Sequence, residues 1–253
     1  MSTLIDLSVN YHQQDNGFCC GAACTQMLLV SQVEGGPHLG CDLASLPNKT
    51  YQQTVPQSPG LGLNREIQKV PFADFGAGAH PKAIKEVLNN RRNMSSYRGI
   101  QFKVFASTSR AEIICRIVHT LDEHGIAPAV LVYGGQHWVD VTGCIYDLVS
   151  GTTDQIEIID FVINDPWPPL QPGASKVHSP TDQCIFEGDP HAQFSCGAWL
   201  SEYMDEPLPS SLDTGEFTVF TGNLNGCFIA VCAVHAPGSG KDNTAKYTAF
   251  TCV

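Results

Sequence analysis

Gln14-Asp-Asn-Gly-Phe-Cys-Cys20-Gly-Ala-Ala-Cys24 is the stretch that decides the fold of this chain. Apolar residues recur at helical spacing after Cys20, and a Gly-Gly-Pro run at 35–37 ends the pattern, which predicts a helix over 20–31. Cys20 would begin that helix, where unpaired backbone N–H groups and the helix dipole stabilise a thiolate. Gln14, six residues earlier, can donate a hydrogen bond to an oxyanion at an attacked carbon. The stretch therefore predicts a nucleophilic cysteine at a helix N-terminus.

Two residues far downstream supply the other groups that such a nucleophile needs. His137 opens a strand-like run directly after a Gly-Gly pair, and its separation from Cys20 along the chain is typical of a catalytic cysteine–histidine pair. Asp165 follows the next strand-like run, and an acidic group there can hold the imidazole in one tautomer and orientation. Together with Gln14, these residues predict the chemistry of a cysteine hydrolase.

Neighbouring residues compete for these roles. Cys19 is one residue out of register with the glutamine, and Cys24 lies one helical turn further on, where packing is its natural role. Asp140 lies three residues beyond His137 and so points to the opposite face of the strand, whereas Asp160 lies inside its own strand. A cluster of structural cysteines or a metal site is the alternative for the cysteines, although Cys-Cys-x-x-x-Cys is not a standard zinc spacing. We assign no role to the other eight histidines, among them His119, His124, His178, His191 and His235.

The four candidate residues and their order resemble the papain-like cysteine peptidases, and most of all the bacterial branch that removes double-glycine leader peptides. The local matches are Gln14, Cys20-Gly21, Ala23-Cys24, His137-Trp138-Val139, Gly143 and Asp165-Pro166. The chain departs from that branch at Cys19, where the branch usually has aspartate. The resemblance covers three short islands, and it extends neither to residues 31–80 nor beyond about 170.

The resemblance implies a papain-like α+β fold, with a helical half that carries Cys20 and an antiparallel sheet half that carries His137 and Asp165. It implies peptide-bond hydrolysis of a peptide or protein substrate through a Cys-His-Asp triad, with Gln14 as oxyanion donor and without a metal or organic cofactor. The residues leave open amidase, deamidase or acyl-transferase chemistry of the toxin or effector type. They also leave open a non-catalytic binding module on the same fold and a structural metal protein.

The remaining pattern predicts helices followed by a mostly antiparallel sheet, in one catalytic domain over 1–253. Helices are predicted from Pro81 and over Ser109–His124, the latter with Ser109 as N-cap, Glu112 completing a capping box and Gly125 ending it. Strands are predicted over 101–106, 128–133, 137–145, 155–162, 216–220 and 226–234. We expect a loop-rich insertion at 33–80 with a short helix near 63–70, a long loop at 166–196, and a C-terminal extension from about 170.

Charge and cysteine content exclude some classes of partner. The formal net charge of −11 argues against nucleic acid and anionic membranes as partners. No apolar run is long enough to span a membrane, and the N-terminus lacks the basic and apolar parts of a secretory signal. Several of the eleven cysteines sit in apolar contexts typical of buried free thiols: Cys115, Cys144, Cys227 and Cys232. We therefore expect a cytoplasmic protein with reduced thiols, for which signal-independent export stays open.

Overall fold

A computed structural model of the chain describes residues 2–7, 9, 11, 20–30, 79–91, 99–167, 191–208 and 224–253. In these parts of the chain, helices pack against one eight-stranded sheet, which confirms the α+β class. Three sequence predictions lie outside the described residues: Gln14, the short helix near 63–70 and the strand at 216–220. So does almost all of the predicted insertion at 33–80.

The described helices are α1 (Cys20–Val30), α2 (Pro81–Arg91), α3 (Arg110–His124) and the short α4 (Cys196–Ala198), which continues into a π-turn (Trp199–Tyr203). The hydrophobic patterns predict α1, α2 and α3, but they do not predict α4 or the π-turn. None of these helices has the length and apolar character needed to cross a membrane.

The ends of α3 show how local side chains fix its length. The Ser109 hydroxyl accepts a hydrogen bond from the Glu112 N–H, and Gly125 adopts a left-handed conformation with φ 59°. In the predicted capping box, the Glu112 side chain would accept a hydrogen bond directly from the Ser109 N–H, but here Ser107 lies between the two groups. The Glu112 carboxylate accepts from the Ser107 hydroxyl at 2.6 Å, and the Ser109 N–H donates to that same hydroxyl at 3.1 Å. Ser107 thus connects the two partners of the box.

The strands form a sheet in the order β2-β7-β3-β4-β5-β6, with β1 added to β4 and β8 added to β5. All the pairings are antiparallel except the parallel pair of β5 and β8. The strands are β1 (Thr3–Asp6), β2 (Ile100–Ser107), β3 (Ala129–Val132), β4 (His137–Leu148), β5 (Gln155–Asn164), β6 (Ala192–Ser195), β7 (Phe228–His235) and β8 (Ala249–Cys252). The last part of the predicted 166–196 loop therefore forms an edge strand, and the residues after 170 contribute three strands to the common sheet.

The register of β4 and β5 brings two distant parts of the sequence together. β4 begins at His137 and runs antiparallel to β5, with Asp140 paired opposite Asn164. Because β5 ends at Asn164, the first residue of β4 and the residue that follows β5 lie side by side, at the same end of these two strands. The candidate residues meet at this end of the strands.

Helix α1 is buried along its length and packs against β4 and α2. A helix that is apolar on every side requires such a position. Gly21 permits the close approach at its N-terminal end, because an added Cβ would lie 2.4 Å from the Ala79 Cβ and 3.2 Å from a ring carbon of Trp138. The N-terminus of α1 is therefore held against the start of β4.

A disulfide joins Cys196 of α4 to Cys252 of β8. The expectation of reduced thiols is wrong for this pair, because β6 and β8 both pair with β5 and bring two segments 56 residues apart into contact. The other described cysteines are free and buried, in agreement with their apolar contexts: Cys20, Cys24, Cys115, Cys144, Cys227 and Cys232.

Candidate active site

Cys20 is the first residue of α1 and is only 5% exposed. The first N–H groups of an α-helix have no partner within the helix, and the dipole makes that end partly positive. A negative charge on the Cys20 sulfur, or on an oxygen held beside its N–H, is stabilised there. The predicted start of a helix at Cys20 is confirmed.

His137 reaches the site because a tight turn connects β3 to β4. Residues Tyr133–Gly135 form one 3₁₀ turn, in which Gly134 has φ 59° and Gly135 has φ 93°. Glycine adopts these angles without steric cost, whereas Tyr133, with φ 52°, is held in a conformation that is rare for a bulky residue. The turn leads into β4, whose first residue is His137, so the imidazole lies at the start of that strand.

Asp165 binds the imidazole directly. The His137 Nε2 lies 2.8 Å from Asp165 Oδ1, and both side chains are almost completely buried. The same Oδ1 accepts the Trp167 N–H at 3.0 Å. Proline at 166 has no N–H, so the next backbone donor along the chain closes this turn onto the carboxylate. The predicted pairing of His137 with Asp165 thus has a defined geometry.

The Cys20 sulfur also interacts electrostatically with the imidazole, and the charge of the ring follows from both neighbours. Burial by itself lowers the pKa of His137, but the Asp165 carboxylate and the Cys20 sulfur outweigh that effect and raise the pKa to about 10. His137 is therefore an imidazolium at neutral pH. Because Nε2 is bonded to Asp165, Nδ1 is the ring nitrogen that can exchange a proton with the sulfur.

Three aromatic residues that sequence reasoning missed surround this pair. The Trp167 ring lies 4.7 Å from the His137 ring, and the Tyr133 ring lies 6.2 Å from it in a stacked arrangement. The Tyr203 hydroxyl donates to Asp165 Oδ2 at 3.4 Å. The Asp-Pro-x turn could have indicated the role of the Trp167 N–H. Tyr203 comes 38 residues after Asp165, and no local pattern connects the two.

The competing residues lie close by, in different surroundings. The Cys24 thiol interacts electrostatically with Asp140, and burial raises the pKa of both groups. Neither oxygen of the Asp140 carboxyl has a hydrogen-bond partner among the described residues. Trp138, two residues before Asp140 and so on the same face of β4, also contacts the helical layer, where its Nε1 donates to the Ala79 carbonyl. Cys24 and Asp140 thus form a second buried pair next to the first.

The other candidates that the sequence raised lie elsewhere or outside the described residues. Asp160 accepts a hydrogen bond from the Gln193 side chain at 2.8 Å. His119, His124 and His235 form a separate cluster between α3 and β7, with ring centroids 4.6–5.7 Å apart. The candidates outside the described residues are Gln14, Gln13, Cys19 and His178. In the part of the chain that the structure describes, no three His, Cys, Asp or Glu side chains are placed to hold a metal ion.

The fold and the site define an α+β protein with a buried Cys-His-Asp cluster at the junction of a helix and a sheet edge. In comparisons with known proteins, no family model, no curated protein and no solved structure matched this chain. The argument for function therefore depends on the geometry of the cluster and on its chemistry.

Proposed function

We propose that this protein is a papain-like cysteine hydrolase, and that it cleaves peptide bonds. The observation that supports this most directly is the continuous contact from Cys20 through His137 to Asp165. A nucleophile in contact with a base, and a base oriented by a third group, is the arrangement that nucleophilic catalysis requires.

In the proposed reaction, the Cys20 sulfur attacks the carbonyl carbon of the substrate. The resulting oxyanion is held by the Cys20 N–H and by Gln14, the donor that the sequence predicts. His137 gives its proton to the leaving amine as the carbon–nitrogen bond breaks, which leaves a thioester on Cys20. Water then attacks the thioester, His137 takes a proton from that water, and the products are a carboxylic acid and the free cysteine.

The raised pKa of His137 fits both halves of this cycle. Before the reaction, the imidazolium is a ready acid for the leaving amine. Acylation converts the Cys20 sulfur into a neutral thioester and so removes one of the two groups that raise the imidazole pKa. The pKa of His137 then falls, which favours its role as base in the second half.

Labelling with an epoxysuccinate inhibitor, followed by mass spectrometry, tests the nucleophile. We expect the label on Cys20, and we expect Cys20→Ala to abolish both labelling and hydrolysis of a fluorogenic peptide with Gly-Gly on its acyl side. Cys24→Ala is the matched control, one turn along the same buried helix, and should keep most of the activity. A label on Cys24, or on Cys19, would show that the assignment is wrong.

The oxyanion donor gives a second readout of the same proposal. Gln14→Ala should reduce turnover by roughly two to three orders of magnitude, as the loss of one oxyanion donor does elsewhere. Gln13→Ala, its neighbour, should be nearly silent. Equal effects of the two substitutions would remove Gln14 from the mechanism.

A second candidate function is an amidase or deamidase, which uses the same cysteine and histidine. The nearly complete burial of Cys20 and His137 favours it, because a small amide group enters a closed site more easily than an extended peptide does. Ammonia release from a glutamine-containing peptide, without cleavage of its chain, would support this function over peptide hydrolysis. The Cys20→Ala variant is again the control.

A further inference from the structure

We propose that Tyr203 is a positioning residue that holds Asp165 in the orientation His137 needs, and that Tyr133 holds Tyr203 in turn. The inference rests on the proposed function, since it assigns a role to residues behind the Cys20–His137 pair. It extends the triad by two aromatic residues that come from different parts of the chain.

The first observation is the way the Asp165 carboxylate is bound. Its Oδ1 receives the His137 imidazole and the Trp167 N–H, while its Oδ2 receives the Tyr203 hydroxyl at 3.4 Å. That last distance is long for a hydroxyl donor, but hydrogen bonds in catalytic sites are often long before substrate binds and shorten as charge develops. Tyr203 thus restrains rotation of the carboxylate about its Cβ–Cγ bond through the oxygen that His137 and Trp167 do not bind.

The second observation is the hydrogen bond from Tyr133 to Tyr203. The two rings lie 5.1 Å apart, and the Tyr133 hydroxyl donates to the Tyr203 oxygen. Burial raises the pKa of both phenols, so both keep their proton. Because Tyr203 donates its proton to Asp165, it can only accept from Tyr133. The order of donation is therefore Tyr133 to Tyr203 to Asp165.

The third observation is the backbone that carries each tyrosine. Tyr203 ends a π-turn that is closed by the Met204 N–H on the Trp199 carbonyl at 3.1 Å. Such turns are rare and recur at functional sites. Tyr133 has φ 52°, an unfavourable conformation for an aromatic residue. Two unusual backbone segments thus converge on one buried carboxylate, which a purely structural pair of tyrosines would not require.

The chain contains a matched control for this arrangement. Near the other end of β4, the Tyr146 and Tyr247 hydroxyls lie 2.8 Å apart, and the Tyr247 hydroxyl donates to the Asp122 carboxylate at 2.9 Å. The two tyrosines of this second set are also buried, whereas Asp122 is partly exposed and pairs with Lys246. Removing one hydroxyl from each set separates a local effect on the site from a general effect of a lost buried hydrogen bond.

The experiment measures two properties of Tyr203→Phe and Tyr247→Phe. One is the rate at which iodoacetamide alkylates Cys20 at pH 6, and the other is the proton resonance of the imidazole N–H bonded to Asp165. We expect Tyr203→Phe to slow alkylation about tenfold, the usual effect of losing one hydrogen bond to a charged group, and to move the resonance. Tyr247→Phe should change the rate less than twofold and leave the resonance in place.

The outcomes distinguish this inference from the proposed function. If the unmodified protein and the His137→Ala variant are alkylated at Cys20 at the same rate, the proposed function fails. If the rate depends on His137 but Tyr203→Phe behaves like Tyr247→Phe, only the positioning role fails. Thermal unfolding of each variant shows whether it folds, and Tyr133→Phe, which leaves Tyr203 in place, gives an independent test with an expected slowing of a few-fold.

Discussion

At the scale of single residues, Asp140 is a carboxyl group in surroundings very different from water. It is fully buried, the weakly polar Cys24 thiol interacts with it, and neither of its oxygens has a hydrogen-bond partner among the described residues. Burial disfavours the charged form and raises the pKa of Asp140 well above its ordinary value. The folded protein therefore holds a neutral carboxylic acid at a position beside the site, while Asp165 is bound as an acceptor by three donors.

The pH dependence of the free energy of unfolding, compared with that of the Asp140→Asn variant, tests whether this carboxyl is protonated in the folded protein. Below pH 4 the acid is protonated in both the folded and the unfolded chain, and it contributes no pH dependence. Above that pH the unfolded chain releases the proton and the folded chain does not, so the free energy of unfolding decreases by up to about 1.4 kcal/mol per pH unit. We expect Asp140→Asn, followed by urea unfolding from pH 4 to 7, to remove that decrease.

Asp160→Asn is the matched control for this measurement. Asp160 lies on the neighbouring strand and makes its hydrogen bond at an exposed position, so its neutralisation should change the pH dependence little. A decrease with pH that persists unchanged in Asp140→Asn would show that the carboxyl is ionised in the folded protein.

At the scale of elements, the disulfide ties the segment behind the site to the rest of the sheet. Cys196 begins α4, which leads directly into the π-turn that ends at Tyr203. Cys252 lies on β8, whose register is fixed by the parallel pairing with β5. The bond therefore restrains the approach of Tyr203 to Asp165 from the far end of the segment.

Cys252→Ser should lower the free energy of unfolding by about 2–4 kcal/mol, because the 56-residue separation makes the cross-link restrictive for the unfolded chain. The measurement is urea unfolding with and without dithiothreitol. The reductant should destabilise the unmodified protein and leave Cys252→Ser unchanged. Cys227→Ser, at a free buried cysteine, should retain the response to the reductant. If the reductant also destabilises Cys252→Ser, a different bond is responsible.

At the scale of the whole molecule, two histidines act on stability in opposite directions. Burial, with help from His235 and His119, lowers the pKa of His124 to about 4, while Asp165 and Cys20 raise that of His137 to about 10 against the effect of its burial. His124 lies between α3 and β7, where Glu123 and Lys241 are its other charged neighbours. Neither of its ring nitrogens has a hydrogen-bond partner among the described residues.

The contribution of these two histidines to the unfolding free energy should therefore pass through a maximum near pH 6.5. Between pH 4 and 6.5 this contribution opposes the decrease that Asp140 produces, so it is measured in the Asp140→Asn variant. Below pH 6.5, His124 binds a proton in the unfolded chain but not in the folded chain, so stability is lost as the pH falls from about 6.5 to 4. Above it the unfolded chain releases a proton that folded His137 keeps, so stability is lost as the pH rises from about 6.5 to 10.

Denaturant unfolding across this range provides the check. His124→Phe should reduce the loss of stability on the acid side, and His137→Ala the loss on the alkaline side. A part of the acid-side loss should remain in His124→Phe, because burial also lowers the pKa of His80 to about 4. His191→Gln, at a half-exposed histidine paired with Asp6, should change neither side much. If His124→Phe leaves the acid side unchanged, the histidine cluster between α3 and β7 is not the source of the loss.

The sequence by itself determined most of the local elements and the members of the Cys-His-Asp cluster that the structure describes. Helical spacing placed Cys20 at a helix start, the Ser109 and Gly125 signals bounded α3, and the Gly-Gly turn placed His137 at the start of a strand. These features depend on interactions between residues near in sequence, so a local pattern records them.

Only the tertiary structure decided which distant segments meet. β7 lies between β2 and β3, Cys196 bonds with Cys252, and Tyr203 reaches Asp165 across 38 residues. Each of these contacts depends on the order and register of strands in the sheet, and many pairings satisfy the same alternation of apolar and polar residues. The sequence therefore indicates a nucleophile, a base and an acid, whereas sheet register determines which side chains orient them.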